Sequence, residues 1–402
     1  MIRFLTAGES HGKALTIIVD GFPSNLKLTK AYIDSHLKRR QVGYGRGLRM
    51  KIESDSVEIL SGVRFGKTLG SPLSFIIRNS DWENWTERMD PESKSKNVQK
   101  ISIPRPGHAD LTGISKFNLD DIRNSIERSS ARETASRVAA GSVARRLLEE
   151  FGISVGSYVE SLGGIFPEKD YMVDLLNNNL NKKLDAWSLS LQADKSDVRV
   201  LDKSQEIKII NKIKKAKKLG DTLGGTFITI ATGVPVGLGS FTQYDLKLNA
   251  EIAQSIMSIN AVKGVEIGAG FLSADLLGSE NHDEIIIKNN ILSRKTNMAG
   301  GIEGGISTGL PIIVRASMKP ISTLMNPLTS VDLHTMRQIE SRRERSDFTA
   351  VPACSVIAES MLAWSIAKLF LVKFGGDSLE EIKDNYKSYT QKLQPRIKKN
   401  FR

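Results

Sequence analysis

The sequence predicts an α+β fold of two related halves, each joining antiparallel strands to a long apolar helix. Three observations carry this. Short strand-like runs punctuated by glycine alternate with apolar helical runs along the chain. A register of 213 residues aligns Ile126, Glu127, Arg132, Val138, Ala140, Ser142 and Val143 with Ile339, Glu340, Arg345, Val351, Ala353, Ser355 and Val356. The pattern Gly-x-[Ser/Thr]-x-Gly precedes a strand at residues 66–70, 220–224 and 305–309. The spacing varies along the chain, so these are two halves rather than a solenoid.

In order, residues 1–20 read as strand, turn and strand. The turn Gly8-Glu9-Ser10-His11-Gly12 bends sharply at its glycines and holds a histidine out of the packing. Residues 28–41 read as a helix ending in Lys38-Arg39-Arg40-Gln41. The glycine-rich segment that follows, with Arg46 and Arg49, suits either a basic lid over an anion or a solvated loop. Residues 57–78 read as strands. They include a near miss to a phosphate-binding loop, with three residues between Gly62 and Gly66 where the motif needs four, which excludes an NTPase. After a polar loop at 80–103, Pro104-Arg105-Pro106-Gly107-His108 forms a rigid turn presenting His108.

Residues 119–151 contain an arginine- and serine-rich helix start, described below. Residues 152–168 read as strand and turn, 169–218 as largely helical with a break at 188–191, 219–232 as strand and 240–260 as helix. Two glycine-rich segments, 260–271 and 297–309, flank a polar insert at 275–298. The second leads into a strand and then Lys319-Pro320-Ile321-Ser322-Thr323.

Composition is that of an ordinary globular protein, with 40% hydrophobic and 25% charged residues in 402. The single cysteine, Cys354, excludes an internal disulfide and a cysteine-based metal centre, and no metal site is expected. No membrane span and no signal peptide are expected, which points to the cytoplasm. The net charge of +12 invites a nucleic-acid reading. Much of the lysine, however, lies on an amphipathic helical run at 207–218 and in the tail from 383, without the aromatic interleaving of a single-strand binder. The expectation is a small-molecule partner and no nucleic acid.

The helix start is the chemical centre of the sequence. Arg128-Ser129-Ser130-Ala131-Arg132-Glu133-Thr134 leads into an apolar helical run. Ser129, Ser130 or Thr134 can cap the helix, and arginines beside its exposed N–H groups make an anion site. Two or three guanidiniums suit a ligand with several anionic groups. The bland alternative is a solvated first turn with surface ion pairs to Glu127 and Glu133.

Taken together, the Ser10-His11 turn, the Arg40/Arg46/Arg49 segment, Arg105-Pro-Gly-His-Ala-Asp110, Glu127-Arg-Ser-Ser-Ala-Arg-Glu-Thr-Ala135, Asn260-Ala-Val-Lys-Gly264 and the glycines of 300–309 resemble the chorismate synthase family, in order, from about residue 1 to about 375. The resemblance implies a β-α-β sandwich with internal pseudo-twofold symmetry, a single unit over 1–380 with a basic tail at 381–402, and a homotetramer. It implies a carbon–oxygen lyase of the shikimate pathway and aromatic amino-acid biosynthesis, taking 5-enolpyruvylshikimate 3-phosphate to chorismate and phosphate with reduced FMN (FMNH2). By resemblance, His11, His108, Asp347 and Ser10 are catalytic, and Arg40, Arg46, Arg49, Arg132 and Arg345 bind the substrate's anions. Arg128, Ser129, Ser130, Asn260, Ala261, Gly304, Lys319, Pro320, Ile321, Ser322, Thr323 and Arg345 would hold the flavin. Some members reduce their own flavin with NADPH; lacking a dinucleotide fingerprint, this chain is expected to receive FMN already reduced by a separate flavin reductase. Arg345-Ser346-Asp347 departs from the Arg-His-Asp of many members. The alternatives are a flavin-dependent oxidoreductase with net hydride transfer and a basic nucleic-acid-binding protein.

Overall fold

The computed structural model describes residues 2–46, 54–93, 95–177, 185–288, 290–343 and 347–400. Two four-stranded antiparallel sheets are built with one topology. The first holds β1 (Arg3–Ala7), β2 (Ala14–Asp20), β3 (Val57–Ser61) and β4 (Leu73–Arg78) in the order β1-β2-β4-β3. The second holds β5 (Ser154–Leu162), β6 (Gly225–Thr232), β7 (Val262–Ile267) and β8 (Ile312–Met318) in the order β5-β6-β8-β7.

The main helices are α1 (Lys30–Gln41), α2 (Asp110–Phe117), α3 (Ile122–Ser129), α4 (Thr134–Glu149), α5 (Ala186–Ala193), α6 (Lys203–Leu219), α7 (Leu248–Met257), α8 (Val351–Phe374) and α9 (Leu379–Asn400). In each half one helix lies between the second and third strands (α1, α7) and a long one follows the fourth (α4, α8). Helix α4 packs on the first sheet, α8 packs on the second, and the two helices pack on each other. Their approach is close because Gly141 of α4 lies on Ser360 of α8: a Cβ there would come within 2.4 Å of the Ser360 Cβ. One continuous core joins both sheets through these helices, from Ile17 and Phe75 through Val143 and Leu362 to Phe227 and Val314.

The expected strand-turn-strand at the N-terminus, the helix near 28–41 and the helix after the arginine-rich stretch all form. Other expectations need correction. Residues 188–191 do not break a helix; they lie inside α5, capped by Asp185 accepting from the Ser188 N–H, with Leu189 and Ser190 buried. The 213-residue register aligns α4 with α8, but its first pairs fall on unlike elements, Ile126 and Glu127 on α3 and Ile339 and Glu340 on the strand Arg337–Glu340. The shared Gly-x-[Ser/Thr]-x-Gly pattern likewise serves different ends: Gly220, for one, is the left-handed C-cap of α6. Helix α8 is long and apolar enough to cross a membrane by length and composition, yet 83% of its most apolar window is buried inside the fold. Helix α9 begins the basic tail by burying Leu379 and Ile382 against the core and packing Tyr386 and Tyr389 on Phe374.

Candidate active site

A cleft of about 660 Å³ opens where the starts of α4 and α8 approach the C-terminal end of α1 and the ends of β7 and β8. Two helix N-termini therefore face it, which biases its potential positive. Side chains add to that bias. Among the described residues, Arg40, Arg46, Arg105, Arg132, Lys263 and Lys319 line the cleft against one carboxylate, Asp347.

The arginines are held by a buried scaffold. Asp55 lies behind the wall with its side chain fully buried, accepting from Arg40 Nη2 at 2.5 Å and from Arg132 Nη1. Burial would raise the Asp55 carboxyl, but the two guanidiniums outweigh it and hold it below the usual carboxylate range. Arg132 Nε also donates to Asn79 at 2.8 Å. Burial, together with repulsion from Arg132 and Arg46, pushes the Arg40 guanidinium below its ordinary value despite Asp55. Arg46 reaches across to Asp347 at 2.9 Å. The buried Nε atoms of Arg40 and Arg46 have no hydrogen-bond partner among the described residues.

The opposite wall is main chain and small side chains. Ala261 adopts φ of 67°, in the left-handed region, and its carbonyl accepts from the Lys319 N–H at 2.9 Å. The Asn260 side-chain amide donates to the Ser129 carbonyl at 3.1 Å. Ser130 caps the turn before α4, accepting from the Arg132 N–H, and donates to the Ser10 hydroxyl at 3.1 Å.

Both histidines singled out from the sequence are wired to buried carboxylates. His108 lines the cleft, with Nδ1 2.5 Å from Asp110, which Arg105 clamps through its own N–H and its guanidinium. His11 lies beside the cleft, its Nδ1 3.0 Å and 3.1 Å from the two oxygens of Glu127 and its backbone N–H donating to Glu127 at 2.7 Å. Trp85 stacks on the His11 ring at 3.9 Å between centroids.

A family model described as chorismate synthase matches residues 2–371. The chain belongs to the chorismate synthase family. It is 53% identical over 403 residues to the chorismate synthase of Chlorobaculum tepidum, covering 99% of this chain and 100% of that protein. It is 52% identical over 396 residues to that of Chloroherpeton thalassium, covering 98% and 100%. A solved structure described as a crystal structure of chorismate synthase superposes with a TM-score of 0.78 at 41% identity, covering 98% of each chain.

Of the residues carried over from the chorismate synthase resemblance, the fold gathers Arg40, Arg46, Arg132, His108, Ser129, Ser130, Asn260, Ala261, Lys319, Pro320, Ile321, Ser322, Thr323 and Asp347 around this one cleft. Ser10 stands one hydrogen bond behind it, through Ser130. Arg128 turns away, donating to the carbonyl and hydroxyl of Thr6, and lines a separate shallow hollow with Phe4 and Trp364. Gly304 sits on a short hairpin turn at φ of 59°, outside the cleft wall. Arg49 and Arg345 fall outside the described residues. The bland reading of the helix start does not hold: Glu127 is 3% exposed and Arg132 8% exposed, so neither forms a solvated surface pair.

Reading the sequence missed Asp55, Asn79, Lys263 and the carboxylate partners of the two histidines as site residues. Asp110 lay two residues from His108, a usable signal, whereas nothing local tied Glu127 to His11.

Proposed function

We propose that this cleft binds reduced FMN together with the phosphate and two carboxylates of 5-enolpyruvylshikimate 3-phosphate. The reaction is that of the chorismate synthase family, a 1,4-elimination yielding chorismate and phosphate, and the chain is a carbon–oxygen lyase. The observation that carries the ligand assignment is the convergence of six cations on one cleft against a single carboxylate, Asp347, among the described residues. A substrate with three anionic groups beside a flavin phosphate needs such a wall.

Arg40, Arg46 and Arg132 clamp the substrate's anions, joined by Arg49 and Arg345. Ser129, Ser130, Asn260, Ala261 and residues 319–323 hold the flavin, with small side chains and open backbone allowing close approach. Arg128 and Gly304 stand outside this set. When bound, reduced FMN supplies electron density to the substrate as the phosphate departs. His11 protonates the leaving phosphate, since C–O cleavage needs an acid and imidazole titrates near neutral pH. His108, in the cleft wall, orients the flavin and exchanges its proton. Asp347, held at 2.9 Å by Arg46, and Ser10, accepting from Ser130 at 3.1 Å, would serve the relay of the proton that the substrate loses.

We also propose that the two halves are related by a pseudo-twofold axis, supported by their common strand order, and that the enzyme works as a cytoplasmic homotetramer fed by a separate flavin reductase. An FMN titration with and without substrate tests the ligand assignment. Lys319→Ala should weaken FMN binding and Arg40→Ala the binding of substrate beside FMN, each about tenfold to a hundredfold, the loss of one or two hydrogen bonds to a charged group. Unchanged affinity in both variants would move the ligands out of this cleft.

A further inference from the structure

We infer that Glu127 and Asp110 are positioning carboxylates that fix the proton of His11 and of His108 on Nδ1, leaving Nε2 as the nitrogen that exchanges protons with the reactants. The inference rests on the proposed catalytic roles of the two histidines.

The geometry of the two sites is alike. Each histidine presents Nδ1 to a buried carboxylate, at 3.0 Å for Glu127 and 2.5 Å for Asp110. Each carboxylate also accepts from an arginine, Glu127 from Arg123 at 3.2 Å and Asp110 from Arg105 at 2.9 Å. Burial would raise both carboxyls, but hydrogen bonds from the histidines and the nearby arginines hold both below the ordinary range, so each is an acceptor at neutral pH. An ionised acceptor at Nδ1 requires a proton there, which fixes the tautomer; at His108 the 2.5 Å contact to Asp110 is closer than the Arg105 Nη2 donor 3.1 Å from the same nitrogen and decides it.

The scaffold is also shared. Asp110 opens α2 and Glu127 lies on α3, and the two helices touch so closely that a Cβ on Gly113 would overlap the Ser125 hydroxyl at 1.9 Å. Ser125 in turn donates to the Ala109 carbonyl at 2.9 Å. One packed helix pair therefore carries both carboxylates.

The charged groups facing each ring are few. Glu127 and Arg123 face His11 from α3, Glu9 shares its turn, and Arg88 lies over Trp85, which covers the ring. Asp110 and Arg105 face His108, with Arg342 3.9 Å from Asp110 and Lys319 bound to the Gly107 carbonyl.

The test uses Glu127→Gln and Asp110→Asn beside His11→Ala and His108→Ala in the full-length enzyme with substrate and reduced FMN. The amide variants keep the shape and lose the charge. Each should lower kcat at least tenfold with little change in KM, because the imidazole loses the partner that orients it and fixes its tautomer. Histidine variants that lose activity beside amide variants with unchanged kcat would overturn the inference. Histidine variants that keep activity would overturn the catalytic reading beneath it. An independent measurement needs no variant to fold: ¹⁵N spectra of the enzyme's five histidines should show His11 and His108 as Nδ1–H tautomers when neutral, and finding Nε2–H at either would contradict the proposal.

Discussion

Asp55→Asn is the substitution from which the cleft's electrostatics can be weighed most directly. The Asp55 carboxylate is fully buried between Arg40 and Arg132, whose side chains are each only 6% exposed. Asparagine keeps the size and one acceptor but leaves two buried guanidiniums without their counter-charge. Breaking a buried pair in this way costs about 3–5 kcal/mol, and the low exposure of all three side chains argues against much discount for solvent screening. Added phosphate can take over part of the missing charge: an anion present at a hundredfold its dissociation constant stabilises by about 2.7 kcal/mol. Urea unfolding followed by tryptophan fluorescence, with and without phosphate, should therefore show a less stable variant that phosphate stabilises more than it stabilises the parent. The pH dependence has a definite sign. Because the Asp55 carboxyl is depressed in the folded state, its contribution is fully present above the ordinary carboxylate range near about pH 4 and is lost as pH falls below it. The variant's deficit should thus be constant from pH 5 to 8 and shrink in acid. A variant within 1 kcal/mol of the parent at pH 7, with the same phosphate response, would refute the role of Asp55 as the cleft's internal counterion.

Glu359 invites a parallel experiment away from the cleft: fully buried, it accepts from Arg39, Arg145 and Arg199 at 2.7, 2.8 and 3.0 Å, so Glu359→Gln should destabilise by about 3–5 kcal/mol in urea at neutral pH. Burial would raise the Glu359 carboxyl and the arginines overcome it, so this deficit too should shrink below the carboxylate range rather than above it. Gly141→Ala places a methyl 2.4 Å from the Ser360 Cβ and 2.6 Å from its carbonyl oxygen, and the forced separation of α4 and α8 should cost about 1–3 kcal/mol by the same measurement.

The sequence is most informative where local chemistry and tertiary role coincide. Glycines around Ser10-His11, prolines before His108 and serines before α4 fix turns by their own backbone preferences, and each turn is seen. The lysine-rich run on α6 is a helix as expected, but its buried face carries Ile209 and Ile213 while Ile207 is 56% exposed, so the stripe of Ile207, Ile210 and Ile213 that the spacing suggests is only partly the buried one. Asp55 and Asn79 were illegible because nothing in their neighbourhood marks them. They matter only because Arg132 reaches them from 77 and 53 residues away. Glu127 was misread for a related reason: i,i+4 charge at a helix start usually means a solvated pair, and only the approach of the Gly8–Gly12 turn across 116 residues buries it against His11. The unbroken α5 shows the same limit, since its serines are tolerated in a helix once Ser190 finds Glu359 as an acceptor at 2.7 Å. The apolar length of α8 is a property of core position: wedged between α4 and the second sheet, it has almost no solvent face to mark with charge.

The most direct measurement is a single anaerobic turnover of 5-enolpyruvylshikimate 3-phosphate by the enzyme carrying reduced FMN, with phosphate, chorismate and flavin absorbance followed together. The cleft and the family assignment predict one phosphate and one chorismate per substrate consumed, with the flavin fully reduced at the end. Stoichiometric oxidation of the flavin, or phosphate released without chorismate, would contradict them.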